Sequence, residues 1–482
     1  MANQRPNILW ICTDQQRYDT LGCYGNDWVH TPNLDRLAAE GVLFEKAFCQ
    51  SPVCTPSRSS FMTGRYPRTT RCRANGQNIP EDEKLISRIL ADQGYTCGLS
   101  GKLHLSACHP SVTRSMERRI DDGFHQFFWS HHPNSDWPTN EYTQWLQLKG
   151  KKFKAIHVEG SRHVKTGPDA EDHQTTWCAE KAIQFLETNA NYDQPWFFLC
   201  NMFDPHHPFD PPKAYLDRYL DRLEDIPLPN YRAGELDEKP HYQRIDHQGA
   251  YGMKGHLSFS EMTDEDHRLL RASYWAMVDL IDEQVGRILQ SLEASGQREN
   301  TIVVFMSDHG ELLGDHGMYL KGPHFYDCSL QVPFIVSWPG VIPGGRRTSA
   351  LTELVDLAPT LLEAAEIEHY GGMQGRSLWP YLSGGAPEDT GRENVYCEFY
   401  DANFKHNSRA AYATMVRTQT HKLVAYHGEQ LGELYDLEAD PTESENRWND
   451  PSYASVKLEL MKQLCDRMAW TVDPLPSRLA PW

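Results

Sequence analysis

Four short apolar runs constrain the fold of this chain more than any other feature. They are Asn7–Thr13 (NILWICT), Pro195–Cys200 (PWFFLC), Thr301–Ser307 (TIVVFMS) and Pro333–Trp338 (PFIVSW). Each is too short for a helix and lacks polar alternation, which is the pattern of a strand buried on both faces. Helical periodicity fills the intervals, roughly 33–40, 82–93, 174–189 and 264–295. The last interval opens on Thr263-Asp-Glu-Asp266, a capping-box-like signal, and ends at Gly296. Its residues Leu270, Tyr274, Met277, Ile281, Val285, Ile288 and Leu292 recur at helical spacing and form a core-facing stripe. Strands alternating with helices predict an α/β fold, a mostly parallel sheet sandwiched by helices.

A length of 482 residues fits one large domain plus a smaller one. Strand-like runs start afresh at Val395–Phe399 and Lys422–Tyr426, after a Pro- and Gly-rich stretch at 375–394. The expected division is therefore 1–385 and 386–482. Segments 105–173 and 205–262 are too long for bare loops. They are expected to carry small elements, line a site or touch another subunit, which leaves a homo-oligomer open.

The net charge of −19 argues against nucleic acid as a partner, and any anionic substrate would need a local cluster of cations. No apolar run approaches the roughly 20 residues that cross a bilayer, so no membrane partner is expected. Residues Met1–Asn7 hold no apolar leader, and the expectation is a cytoplasmic protein unless a leader lies outside this sequence. Twelve scattered cysteines without a C-x-x-C pair read, for the most part, as free thiols.

In a parallel sheet, ligands bind beyond the carboxyl ends of the strands. Two runs end in Asp14-Gln15 and Asp308-His309, and a third ends in Asn201–Pro208 (NMFDPHHP). Alone, an aspartate past a strand also reads as a turn former or helix cap. Together the two pairs offer carboxylate, amide and imidazole, which suit one divalent cation. The oxygens favour Ca²⁺ or Mg²⁺, and the imidazole leaves Mn²⁺ open. Arg58, Lys102, His104, His206 and Lys321 each read singly as a surface charge or a satisfied histidine. Beside a metal they would form the positive cluster an acidic protein needs to hold an anion. Cys54 is also unusual, since a buried thiol seldom sits among Thr55, Pro56, Ser57 and Arg58.

Residues 54–65, CTPSRSSFMTGR, resemble the type I sulfatase signature, Cys-x-Pro-Ser-Arg followed by Leu-Thr-Gly-Arg, with Met62 where leucine is usual. The segments PNILWICTDQQRYDTLGCYG, TPNLDRLAAEGVLFEKAFCQSPVC, GKLHL, DPHHPFDPP, VVFMSDHGELLGDHG and ELYDLEADPTE resemble family segments, in family order, over almost the whole chain. The resemblance implies an alkaline-phosphatase-like fold, with 1–385 as the catalytic domain and 386–482 as a smaller C-terminal α+β subdomain. It implies that a formylglycine-generating enzyme oxidises Cys54 to formylglycine while the chain is unfolded. Carried over position by position, it makes Asp14, Gln15, Asp308 and His309 the metal ligands. Arg58 would position the formylglycine, and Lys102, His104, His206 and Lys321 would contact the hydrated aldehyde or the sulfate. His206 is the candidate proton donor to the leaving alcohol, and His104 is a candidate for assisting sulfate release.

Two positions depart from the commonest pattern. Gln15 stands where a second aspartate is frequent, and His309 where asparagine is frequent. Both also resemble phosphonate monoester hydrolases. One reading is therefore a sulfatase acting on a small-molecule or saccharide sulfate ester; a second is a phosphonate monoester or phosphodiester hydrolase with the same site. A third, a non-catalytic metal-stabilised binding protein with unmodified Cys54, predicts scrambled site positions, and none is scrambled. Arg65, Arg68, Arg71 and Arg73 read either as a grip for an acidic sugar or as a solvated cluster.

Overall fold

Strands that are apolar on both faces must lie inside a sheet covered on both sides. The computed structural model, which describes residues 5–133, 137–387, 391–403 and 411–476, holds such a sheet of eight strands. Asn7–Thr13 lies at its centre, parallel to Thr301–Ser307 on one side and to Trp196–Asn201 on the other. Thr96–Gly101 and Gln126–Trp129 continue the parallel order beyond Trp196–Asn201. Phe334–Ser337 runs antiparallel next to Thr301–Ser307, followed by Val42–Phe44 and Arg346–Thr348.

Alternation along the central strand divides the core in two. Ile8, Trp10 and Cys12 enter one apolar cluster, and Leu9 and Ile11 enter the other. Each fully buried side chain of this size contributes about 1.5–3 kcal/mol. One face is covered by Asp264–Ala294, which packs with Gln174–Asn189, Lys213–Leu220 and Pro32–Ala39. Its N-terminus carries the expected capping box between Thr263 and Asp266. The other face holds Cys54–Thr63, Ile86–Asp92 and Leu357–Ala364.

The two long segments carry small elements. The first includes the helix Glu141–Leu148 and the short pair Ile156–His157 and Lys165–Thr166; the second includes Lys213–Leu220 and His241–His247. A separate antiparallel sheet is formed by Val395–Tyr400, Tyr412–Arg417, His421–Tyr426 and Glu433–Asp436, and it is backed by the helix Ala454–Trp470. Ion pairs fasten this sheet and its helix to the rest of the described chain. Lys422 reaches Asp327 at 2.6 Å, Arg417 reaches Asp327 at 2.9 Å, and Arg467 reaches Glu353 at 2.7 Å. All twelve cysteines are free. Among the described residues, no helix is long and apolar enough to cross a membrane.

Candidate active site

The parallel register pairs Thr13 with Ser307, so the chains leave the sheet side by side at Asp14 and Asp308. Gln15 then takes a left-handed backbone, φ 66°. Such a conformation costs a non-glycine residue about 1 kcal/mol or more and needs support. The support is local: Gln15 N–H donates to Asp308 Oδ1 at 2.9 Å, and the Tyr274 hydroxyl donates to the Gln15 carbonyl at 2.5 Å. The side-chain amide is oriented as well. Its Nε2 donates to Glu311, so its Oε1 faces inward and accepts from Lys321 Nζ at 2.7 Å.

Cys54 is the first residue of the helix Cys54–Thr63, all ten residues of which are buried. Val53 precedes it in extended conformation, and Gly64 ends the helix at φ 68°, its N–H bonded to Ser60 O at 2.9 Å. One turn in, the Ser57 hydroxyl donates to Asp308 O at 2.6 Å. Arg58 then joins three segments. It donates to Asp308 Oδ2 at 2.8 Å, to Asp14 Oδ2 at 3.4 Å and to the Lys102 carbonyl at 3.1 Å. Burial works against the guanidinium charge, but Asp308 and Asp14 outweigh it and hold the Arg58 pKa above its ordinary value.

Lys102 follows Gly101, and the glycine is required there. Its φ is 96°, and a Cβ would lie 1.8 Å from Asn201 O. This close approach lets Asn201 Nδ2 donate to Lys102 O at 2.6 Å while Lys102 Nζ pairs with Asp14. Lys321 Nζ touches Cys54 Sγ at 2.9 Å and His309 Nε2 at 3.2 Å, and His309 Nε2 lies 3.2 Å from Cys54 Sγ. The other His309 nitrogen, Nδ1, is bonded to Gly310 O at 2.8 Å, so in the neutral ring Nε2 keeps its lone pair for the site.

Burial pushes the Asp14 carboxyl up, but Lys102, Arg58 and Lys321 hold it well below the usual carboxylate range. Burial and Asp14 push the Cys54 thiol up, and Lys102, Lys321 and His309 together bring it below its ordinary value. Donor atoms of Asp14, Cys54, Asp308 and His309 all lie within 4.8 Å of one another. Two carboxylates, an imidazole nitrogen and the inward amide oxygen of Gln15 suit a divalent cation. The Lys321 ammonium, in contact with Gln15, Cys54 and His309, demonstrates that these groups present themselves to a positive charge.

The structure thus gathers Asp14, Gln15, Cys54, Arg58, Lys102, Asp308, His309 and Lys321 into one buried cluster. His104 and His206 stand at its edge, without a hydrogen bond to Cys54. The backbone at His104 is left-handed, φ 55°, and Glu117 fixes it. That buried carboxylate accepts from the N–H groups of His104 and Leu105 at 2.9 Å, of Ser106 at 3.3 Å and from the Trp129 indole at 2.9 Å. His206 Nδ1 is bonded to His207 O at 2.5 Å, and the two rings stack with centroids 4.1 Å apart. Burial first, then Lys102 for His104 and Lys321 for His206, hold both imidazoles well below their ordinary pKa. Arg65, Arg68 and Arg71 are used elsewhere. Arg65 pairs with Glu83 at 3.1 Å and Asp473 at 2.9 Å, Arg68 bonds Met468 O, and Arg71 pairs with Asp82. Sequence reasoning assigned no role to Glu311, Glu117, Ser57 and Asn201, which act by holding other site residues in place.

Comparison with known proteins identifies the family. The sulfatase family model matches residues 6–367, and the model of the N-sulphoglucosamine sulphohydrolase C-terminal region matches 314–469. An uncharacterized sulfatase of Escherichia coli K12, YidJ, is 30% identical over 99% of this chain and 91% of its own length. An arylsulfatase of Clostridium perfringens is 29% identical over 93% of this chain and 91% of its own length. The crystal structure of a phosphonate monoester hydrolase of Agrobacterium radiobacter superposes with a TM-score of 0.82 at 28% identity, covering 99% of this chain and 98% of that one. With a family model spanning most of its length and the family's fold around the site, the chain belongs to the sulfatase family, sulfuric ester hydrolases of the alkaline phosphatase superfamily.

Proposed function

We propose that the protein hydrolyses sulfate monoesters, of aryl or sugar type, with a formylglycine made from Cys54 and one divalent cation, Ca²⁺ in preference to Mn²⁺ or Mg²⁺. The observation that carries this reading is the convergence on Cys54 Sγ of Lys321 Nζ at 2.9 Å and His309 Nε2 at 3.2 Å, with Asp14 Oδ1 at 3.6 Å. Asp14, Gln15, Asp308 and His309 would hold the cation, which supplies positive charge and activates a hydroxyl at neutral pH. The hydrated aldehyde at position 54 supplies two hydroxyls on one carbon, one to attack sulfur and one whose deprotonation releases sulfate.

The chain's own residues do the rest. Arg58 locks Asp14, Asp308 and the Lys102 carbonyl into one unit. Lys102 and Lys321 face the charge that grows on the sulfate oxygens, in a dry site where such bonds are strongest. His206 is neutral in the free protein. An anionic ester beside it raises its proton affinity, and it then donates to the leaving oxygen. His104 would assist sulfate release. Cys54 is 1% exposed inside a wholly buried helix, which supports a maturation enzyme that acts before folding.

The second reading, a phosphonate monoester or phosphodiester hydrolase, is favoured by the close superposition on a phosphonate monoester hydrolase and by Gln15 and His309. Kinetics on 4-nitrophenyl sulfate, a matched phosphonate monoester and a matched phosphodiester, with metal content measured, separate the two. The sulfate ester is expected to give the highest kcat/KM; a higher value for the phosphonate overturns the first reading in favour of the second.

A further inference from the structure

The two long insertions meet beside the catalytic cluster in a cavity of about 450 Å³. Its polar wall is made by His157, Arg162, His163 and Lys165 from the first insertion and by His207 and His256 from the second, and no carboxylate lines it. The chain carries 66 acidic residues against 47 lysines and arginines, so a wall without a single carboxylate stands out against the rest of the protein. Phe209 and Leu257 add an apolar surface, and a cavity of this size with both kinds of wall fits a sugar ring bearing a charged group.

His207 connects this cavity to the site. Its ring stacks on His206 at 4.1 Å, and the Lys321 charge acts on both rings. Burial holds His163, His207 and His256 below their ordinary pKa, so they serve as neutral hydrogen-bonding groups while Arg162 and Lys165 carry the charge. Arg162 keeps 64% of its side chain exposed; it donates to His163 Nε2 at 3.1 Å and to Glu261 O at 3.2 Å, with the Glu261 carboxylate at 3.5 Å on the rim. Arg65 and Arg71, which follow the Cys54 helix, do not compete for this role, since both are spent on ion pairs.

We infer that this cavity is a second anion subsite, which takes a carboxylate or a further sulfate on the saccharide whose scissile sulfate lies at Cys54. The inference rests on the sulfatase reading and narrows it: the substrate is an acidic or multiply sulfated sugar.

The test is calorimetric binding to the Cys54→Ala protein, with and without the added pair Arg162→Ala and Lys165→Ala. Three probes are compared: N-acetylglucosamine 6-sulfate, with one anionic group; glucosamine 2-N,6-O-disulfate, with a second sulfate; and a 2-sulfated uronate, with a carboxylate. At least one of the two-anion sugars is expected to bind about tenfold tighter than the first, and the double substitution should remove that margin. Which sugar gains identifies sulfate or carboxylate as the second group. Equal binding of all three, no measurable binding of either two-anion sugar, or an equal loss for all three in the double variant overturns the inference. Failure of the sulfatase reading has a separate signature, since a wild-type protein that turns over phosphonates and not 4-nitrophenyl sulfate still gives a readable binding comparison.

Discussion

The Lys321 ammonium lies 2.9 Å from Cys54 Sγ, although 267 residues separate the two in the chain. The fold therefore places a buried cation against the side chain whose carbon would carry the proposed nucleophilic hydroxyl. A protein of net charge −19 repels anions at a distance, and exposed charges are screened beyond roughly 8–10 Å. Binding of an anionic ester has to come from contacts of this short kind.

Lys102→Ala and Lys321→Ala are each expected to lower kcat/KM by roughly 10²–10³-fold, the usual cost of removing a charged donor from a water-poor site. Lys152→Ala, at an exposed position, serves as the control. All three are measured on one sulfate ester at low and high salt. Small, equal losses in the three variants would move the pocket elsewhere.

In active protein, the peptide containing residue 54 is expected to be lighter by one sulfur and two hydrogens and heavier by one oxygen, the mass change from cysteine to formylglycine. Cys54→Ala should retain the fold and lose nearly all turnover. Peptide mass spectrometry checks the first point. Full activity in a preparation carrying only thiol at position 54 rules out the aldehyde.

How much of this was legible varies with the physics of each element. Asn7–Thr13 and Thr301–Ser307 were readable to the residue, because a strand buried on both faces has to stop where the first charge appears. Gln174–Asn189 and Asp264–Ala294 followed from periodicity. The helix Cys54–Thr63 carries no apolar stripe and was not readable as a helix. Its hydroxyls bond its own backbone, Ser59 to Pro56 O at 2.8 Å and Thr63 to Ser59 O at 2.6 Å, so it is buried on all sides without being apolar. Thr96–Gly101 was not among the strand-like runs, because its two glycines interrupt the apolar pattern. The fold needs Gly98, since a Cβ there would come within 2.8 Å of Phe185 and Phe198. The grouping of Asp14 with Asp308 was foreseeable from adjacent parallel strands. Glu311 and Glu117 were not, because what they hold is defined only once the chain has folded.

Glu311 gives a test of that last point. Its carboxylate takes the Gln15 amide N–H and the backbone N–H of Leu313 and Leu320, and so keeps Gln15 Oε1 facing the cluster. Glu311→Ala is expected to weaken divalent-cation binding about 10–100-fold, the usual effect of losing a partner that orients a ligand, and Glu311→Gln should recover part of it. Equilibrium dialysis with Ca²⁺ and Mn²⁺ reads the affinity, and thermal melts confirm that each variant is folded. Unchanged affinity in a folded Glu311→Ala protein would remove Gln15 from the ligand set.

The edge histidines predict a pH dependence of stability. Burial and nearby cations hold His104, His206 and His207 well below the free imidazole value near 6.5 in the folded protein. Below that pH the unfolded chain takes up protons that the folded chain refuses, so stability falls as pH drops through about 6.5. His309 works in the opposite sense. Burial lowers its pKa, but Asp308 and Cys54 hold it above the ordinary value, so its contribution is present in acid and is lost as pH rises. His131, held well below its ordinary value by burial and Lys102, adds to the three, so the histidines of the site together lose stability on acidification. Urea unfolding at about pH 7.5 and about pH 5.5 is expected to show a lower midpoint at the acid pH, and the gap should shrink in His104→Gln. Inorganic sulfate places negative charge beside the rings, raises their folded pKa and should shrink the gap in the wild type as well. Buried carboxyls held above their ordinary pKa, Asp282 at about 6 among them, work in the opposite sense, so the comparison with His104→Gln is the deciding one: a gap that stays the same in that variant would mean that this imidazole carries none of the loss.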